Sequence, residues 1–173
     1  MRDQNEESID VPNVESIAGR SETPRIRIER LTEFSPEASD LLQEYYLAVN
    51  VVQRDEPGAL QRMITDAASG MWLAFSGTEA VGCVVLRRLD LIPNSSECKR
   101  LYVKPSARGH HVATSLLDAQ ETYAIKQGLK WIYLDTYDEL NDAIALYRDR
   151  GYEQCSRYND NPQATLFMRK RIL

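Results

Sequence analysis

Residues 97–117, ECKRLYVKPSARGHHVATSLL, constrain this chain more than any other stretch, because they read as a strand, a sharp turn and a helix in immediate succession. Leu101, Tyr102 and Val103 suit a mostly buried strand, and Pro105 ends the run because proline carries no ladder donor. Beyond Arg108-Gly109, the positions Val112, Leu116, Ala119 and Tyr123 recur at helical spacing, and Gly128 supplies a stop. The spacing predicts a helix from about His110. Its first backbone N–H groups have no intrahelical partner, and with the positive end of the helix dipole they make a place for an anion. Gly109 lets the backbone come close to such a group. A plain strand-to-helix turn, with glycine serving geometry alone, fits the same spacing.

The chain of 173 residues suits one domain with a real core. Its net charge of −5 is unevenly placed: residues 1–24 hold six carboxylates and two arginines, which leaves only −1 for the remainder. That argues against a nucleic-acid partner and gives little electrostatic steering. Residues 1–24 are polar and without periodicity and read as a disordered acidic tail, so the domain is expected over 25–173. No apolar run approaches a membrane span, and the first residues lack the apolar stretch of a signal peptide, so a cytoplasmic or nuclear location away from membranes is the expectation. Cys83, Cys98 and Cys155 are widely spaced without a metal or redox motif and read as reduced, mostly buried residues.

Along the chain, residues 25–30 alternate as a half-buried strand, and Ser35-Pro36 opens an amphipathic helix using Leu41, Leu42, Tyr45, Val49 and Val52. A short helix is expected over 58–68. A hairpin follows, from Met71 to Phe75 and from Glu79 to Leu89 across Gly77-Thr78, and residues 90–96 form a turn. After the strand and helix of the opening segment come a strand over 131–135, a helix over 140–150 and closing strands near 153–158 and 164–171. The order is that of an α+β domain: a mixed, mostly antiparallel sheet flanked by helices.

Three stretches in this order resemble the GNAT superfamily of N-acetyltransferases. Arg108-Gly109-His110-His111-Val112-Ala113 is similar to its acyl-CoA pyrophosphate loop, Arg or Gln, two residues, Gly, one residue, then Gly or Ala. Residues 97–103 resemble its fourth strand, and residues 141–152 resemble its Asn-x-x-Ala…Tyr…Gly-aromatic helix. The likeness covers roughly residues 25 to 172. His111 stands where the family keeps its middle glycine; histidine tolerates positive φ better than most residues, and its N–H can still donate. A solvated or packing role for His110 and His111 outweighs a chemical one.

The resemblance implies a GNAT-like fold in which the fourth and fifth strands splay apart around acyl-CoA. It implies that Arg108, Gly109, His110, His111, Val112, Ala113 and Thr114 hold the pyrophosphate. The backbone of Leu101, Tyr102 and Val103 would line the pantetheine arm and polarise the acyl carbonyl, with Asn141 also contacting that arm. Acyl transfer to an amine needs a neutral nucleophile, a polarised thioester and a proton for the departing thiolate. Glu97 is expected as the general base, directly or through water, and Tyr147 as the general acid.

Plainer readings compete at each position. Strict alternation places Glu97, Lys99, Leu101 and Val103 on one face and Cys98, Arg100 and Tyr102 on the other, so Glu97 could be an exposed carboxylate paired with Lys99 or Arg100. Asn141 could be a helix cap, in competition with the capping-box spacing at Thr136–Glu139, and Tyr147 a core aromatic in line with Leu140 and Ile144.

The expected reaction is direct acetyl transfer from acetyl-CoA, as cosubstrate, to a small-molecule or peptide amine, with no metal; a homodimer is compatible with it. The rivals are a non-catalytic acyl-CoA-binding module on the same fold and an unrelated nucleotide binder. The acceptor itself has no code in the sequence.

Overall fold

The computed structural model describes residues 25–52 and 54–173. The expected acidic tail at 1–24 lies outside the described residues. Seven strands form one sheet in the order β1-β2-β3-β4-β5-β7-β6, with β1 at Ile26–Arg30, β2 at Gly70–Ser76, β3 at Glu79–Arg88, β4 at Ser95–Val103, β5 at Trp131–Thr136, β6 at Glu153–Gln154 and β7 at Leu166–Arg171. Every neighbouring pair is antiparallel except β4 and β5.

Helices α1 (Pro36–Ala48) and α2 (Pro57–Thr65) cover one face, and α3 (Val112–Lys126) and α4 (Asn141–Asp149) the other. Strands β2 and β3 are therefore buried on both sides. Met71, Leu73, Cys83 and Val85 pack towards α1 and α2, while Trp72, Ala74, Val84 and Leu86 pack towards α3. This is why their sequences read as almost unbroken apolar runs rather than as alternation. Cys83 and Cys98 lie in these cores with their thiols pushed up to about 12 by burial, as inert small residues.

Local chemistry sets most boundaries. Ser35 caps α1, its hydroxyl accepting from the Ala38 N–H at 3.3 Å, with Pro36 in the first turn. The β2–β3 hairpin closes with Ser76 opposite Glu79, across the expected two-residue Gly77-Thr78 connection. Three expectations need correction. Helix α1 stops at Ala48, which leaves Val49 and Val52 in the following connection. Helix α3 starts at Val112, two residues later than the spacing suggested, because Gly109 and His111 both take positive φ. The closing strand expected over 153–158 shrinks to Glu153–Gln154, since Tyr158 and Asn159 turn inward to meet Glu97.

Two irregularities in β4 shape the centre of the sheet. The strand pairs with β5 only at Ser95, Ser96 and Glu97, yet continues to Val103 while β5 continues to Thr136. The central strands therefore part beyond Glu97 and Tyr133. On its other edge β4 carries a bulge: Tyr102 faces Cys83 and Lys99 faces Val85, three steps against two, with Arg100 at φ 56°. The extra residue overturns the strict alternation expected for the strand. Leu101 and Val103 join Cys98 against the α3 core, whereas Arg100 and Tyr102 face α1 together with Glu97 and Lys99.

Gly82 makes this geometry fit. A β-carbon there would meet the Tyr102 carbonyl oxygen at 2.8 Å and the Val112 side chain at 3.2 Å. Both neighbours belong to packed elements and cannot swing away. Gly82→Ala is expected to lower stability by about 1–3 kcal/mol, read as a lower urea midpoint at unchanged m; an unchanged midpoint would mean that the bulge has slack.

Candidate active site

Where β4 and β5 part, a cavity of about 530 Å³ opens through the sheet, from Tyr45 on α1 to Ala143 and Tyr147 on α4. Leu101 lines it from β4 and Asp135 from β5. A second cavity, of about 260 Å³, lies at the start of α3 against Val103, Arg108, Gly109 and His111.

The fork of the two strands is held by charge. Glu97 is fully buried and accepts from Arg87, from Lys99 Nζ at 3.4 Å, from Tyr158 Oη at 2.7 Å and from Asn159 Nδ2 at 2.8 Å. Lys99 reaches across the fork to Asp135 at 3.3 Å, and Asp135 also accepts from Asn159 at 2.8 Å and Asn161 at 3.0 Å. Burial works to push the Asp135 carboxyl up, but the Lys99 charge and the two asparagine donors outweigh it and hold the group below its ordinary value.

Glu97 is thus neither the exposed strand-end carboxylate nor a base with open access. It pairs with Lys99 and Arg87, whereas Arg100 turns to Asp55 at 2.7 Å. Both of its oxygens are taken by donors, two of them cationic, and it does not line the cavity. A carboxylate so enclosed by donors is not presented to the cavity. Glu97, expected as the general base, is held by its neighbours behind the cavity wall rather than in it.

The anion-site expectation meets a suitable local structure. Gly109 takes φ 80° and His111 takes φ 57°, the left-handed conformation that the substitution for glycine demanded. His111 is the residue before the first turn of α3 and its side chain caps nothing, so the first-turn N–H groups are left for a ligand. A β-carbon at Gly109 would have nothing within 4 Å, so the loop is open there. His110 does not line this cavity, whereas Val112, Ala113 and Thr114 do.

Tyr147 has its ring in the core, edge-on to Tyr152 at 5.7 Å, and also lines the main cavity. Its hydroxyl makes no hydrogen bond among the described residues, and burial pushes its pKa well above the usual phenol range. Tyr102 instead sends its side chain to Glu44 at 3.2 Å, which leaves only its backbone to the fork. Asn141 is the first residue of α4, exposed, and lines neither cavity; Leu140 takes the cap position without a side-chain bond.

The family model described as "Acetyltransferase (GNAT) family" matches residues 33–152. The chain belongs to the GNAT acetyltransferase family. An uncharacterized N-acetyltransferase of Schizosaccharomyces pombe is 36% identical over 83 residues, which is 48% of this chain and 50% of that protein. The chain spans about half the length of the curated relatives it matches. Among solved structures, a GNAT acetyltransferase of Staphylococcus aureus superposes with a TM-score of 0.73 at 21% identity, over 86% of this chain and 100% of that one. The PaiA N-acetyltransferase of Thermoplasma acidophilum, solved with coenzyme A, gives 0.67 at 19%, over 85% and 99%. These two likenesses concern the fold.

In this GNAT domain, Arg87, Asp135, Tyr158, Asn159 and Asn161 escaped the reading of the sequence. Only a weak signal existed: Asn159-Asp160-Asn161-Pro162 is turn chemistry between two strands, and Asp135 is a lone carboxylate at the end of an apolar run. Because the folded Asp135 is more acidic than its unfolded value of about 3.9, its contribution is present above about pH 4 and is lost as pH falls through the folded value. Melting curves between about pH 2 and 7 should show Asp135→Asn with a shallower acid limb than wild type; parallel limbs would remove Asp135 from the acid-sensitive groups.

Proposed function

We propose that the protein is an acetyl-CoA-dependent N-acetyltransferase working by direct attack of an amine on the bound thioester. The observation that carries this reading is the cavity between the parted strands β4 and β5, with the Tyr147 phenol lining it and a second, uncapped helix start at the far end of β4. The residues there fit an acyl-CoA. The loop from Arg108 to Thr114 offers backbone N–H groups, a guanidinium and open space to a pyrophosphate. Beyond Glu97 the edge of β4 that faces the fork has no partner strand, so its backbone around Leu101, Tyr102 and Val103 is available to an extended arm and to the acyl oxygen. Asn141, at the exposed start of α4, is assigned to the same arm on the family pattern.

In this reaction the amine nitrogen bonds to the acyl carbon, the carbon–sulfur bond breaks, and the sulfur takes a proton from the Tyr147 hydroxyl. A phenol whose acidity burial holds down stays protonated throughout the working range and is ready to donate. The acetylated nitrogen loses its proton to water, and water restores the phenol. Glu97 orients Arg87 and Lys99 at the fork and touches neither reactant.

Thiol release from acetyl-CoA in the presence of an amine panel tests the activity, and no release with any amine would leave a binding module instead. Tyr147→Phe is expected to lower kcat by about 10²-fold or more, while the dissociation constant for acetyl-CoA stays within about twofold. Equal turnover would remove the acid role.

A further inference from the structure

The main cavity does not end at its own rim. Asp55, Arg87, Asn159 and Asp160 line it and also line a groove of about 930 Å³, so the two are continuous through a mouth formed by these four residues. Elsewhere on its rim the cavity is bridged. The Gln163 amide donates to the Asn50 carbonyl at 3.1 Å and accepts from the Val52 N–H at 2.8 Å, which ties the connection after α1 to the turn before β7. Val51 and Gln163 line the cavity at this clasp, and neither lines the groove. The clasp thus closes a part of the rim away from the groove and leaves the mouth to an acceptor.

Three segments build the groove. Ala59, Arg62, Met63 and Asp66 fall at i, i+3, i+4 and i+7, so one stripe of α2 and its C-terminal cap faces it. The β3–β4 connection adds Leu89, Leu91 and Ile92, of which Leu91 is 95% exposed. The third segment, 157–160, is braced from behind: Arg157 donates to the Asn161 and Ala164 carbonyls, each at 3.1 Å, and Tyr158 and Asn159 donate to Glu97. A wall fixed in this way costs little ordering when a ligand fills the groove.

The charges on the groove are balanced. Arg62, Arg87, Arg88 and Arg157 face Asp55, Asp66, Asp90 and Asp160, with Arg88 paired to Asp66 at 3.3 Å. A polyamine is recognised by an excess of carboxylates and an acidic metabolite by an excess of cations, and the groove has neither. Balanced charge interleaved with aliphatic side chains suits a chain of mixed residues, whose apolar members would cover Met63 and Leu91. The groove and the cavity together also exceed the roughly 300–1,000 Å³ of a small-molecule site.

We infer that the acceptor amine is carried on a polypeptide, which lies along this groove and passes the amine through the mouth into the main cavity. This rests on the acetyltransferase reading.

The test gives the full chain acetyl-CoA and three acceptors: a random-sequence decapeptide pool with a free amino terminus and one internal lysine, lysine amide, and spermidine. Acetylated product is measured by mass spectrometry. The pool should exceed both small amines by about tenfold or more in kcat/KM, because contacts remote from the reacting centre count towards it. Two variants locate those contacts. Leu91→Asp changes a side chain with almost no cover, and Ala59→Trp fills the groove from α2. Each should raise KM for the pool by about fivefold or more, with the rate on lysine amide, the dissociation constant for acetyl-CoA and the melting temperature unchanged. Should Ala59→Trp fail to fold, Leu91→Asp carries the test alone. Lysine amide or spermidine matching the pool overturns the inference and leaves N-acetyl transfer standing. So does a pool KM that no folded variant alters. Product from none of the three acceptors overturns the acetyltransferase reading as well.

Discussion

The structure turns on the bridge that Lys99 makes between Glu97 and Asp135. At that point β4 and β5 stop pairing, and a parallel sheet that simply ended its ladder would leave a slit which apolar side chains tend to close. Charged groups keep it open. A buried carboxylate without partners is heavily penalised, and here that cost is offset because Glu97 meets four donors and Asp135 three. Such an arrangement adds little stability over an apolar core of the same volume, and satisfying all of these groups together constrains the geometry of the fork.

The bulge in β4 is the second half of the same construction. It rotates Arg100 and Tyr102 to the α1 side and Leu101 to the α3 side, so the cavity has a charged wall towards α1, where Arg100 pairs with Asp55, and a more apolar one towards α4. The positive φ of Arg100 is tolerated because Asp55 and the rings of Tyr45 and Tyr46, each 5.5 Å from the guanidinium, hold the side chain in place. Gly82 then lets the bent strand lie against β3. Backbone irregularity and charge placement are in this sense one feature.

How much of this was legible in the sequence depends on the range of the physics involved. Ser35, Gly77 and the strand–turn–helix at 97–117 declare themselves because capping, turn geometry and periodicity act over a few residues. The bulge was invisible because nothing in Lys99-Arg100-Leu101 marks an extra residue; it arises from packing against Gly82, some twenty positions away. Glu97 illustrates the limit more sharply. Its place in the strand was legible, but its partners come from β3, β4 and the 158–159 turn, and those partners, not its position, decide what the carboxylate faces.

Proton accounting links the two ends of the proposed reaction. Acylating a neutral amine and releasing a neutral thiol consumes no net proton: one leaves nitrogen and one reaches sulfur. A side-chain base is needed only if the amine arrives charged. In the proposed reaction the acid cannot be dispensed with in the same way, and the candidate for it, Tyr147, is the buried phenol on the α4 side of the cavity. The proposed reaction therefore depends more on a placed proton donor than on a placed proton acceptor.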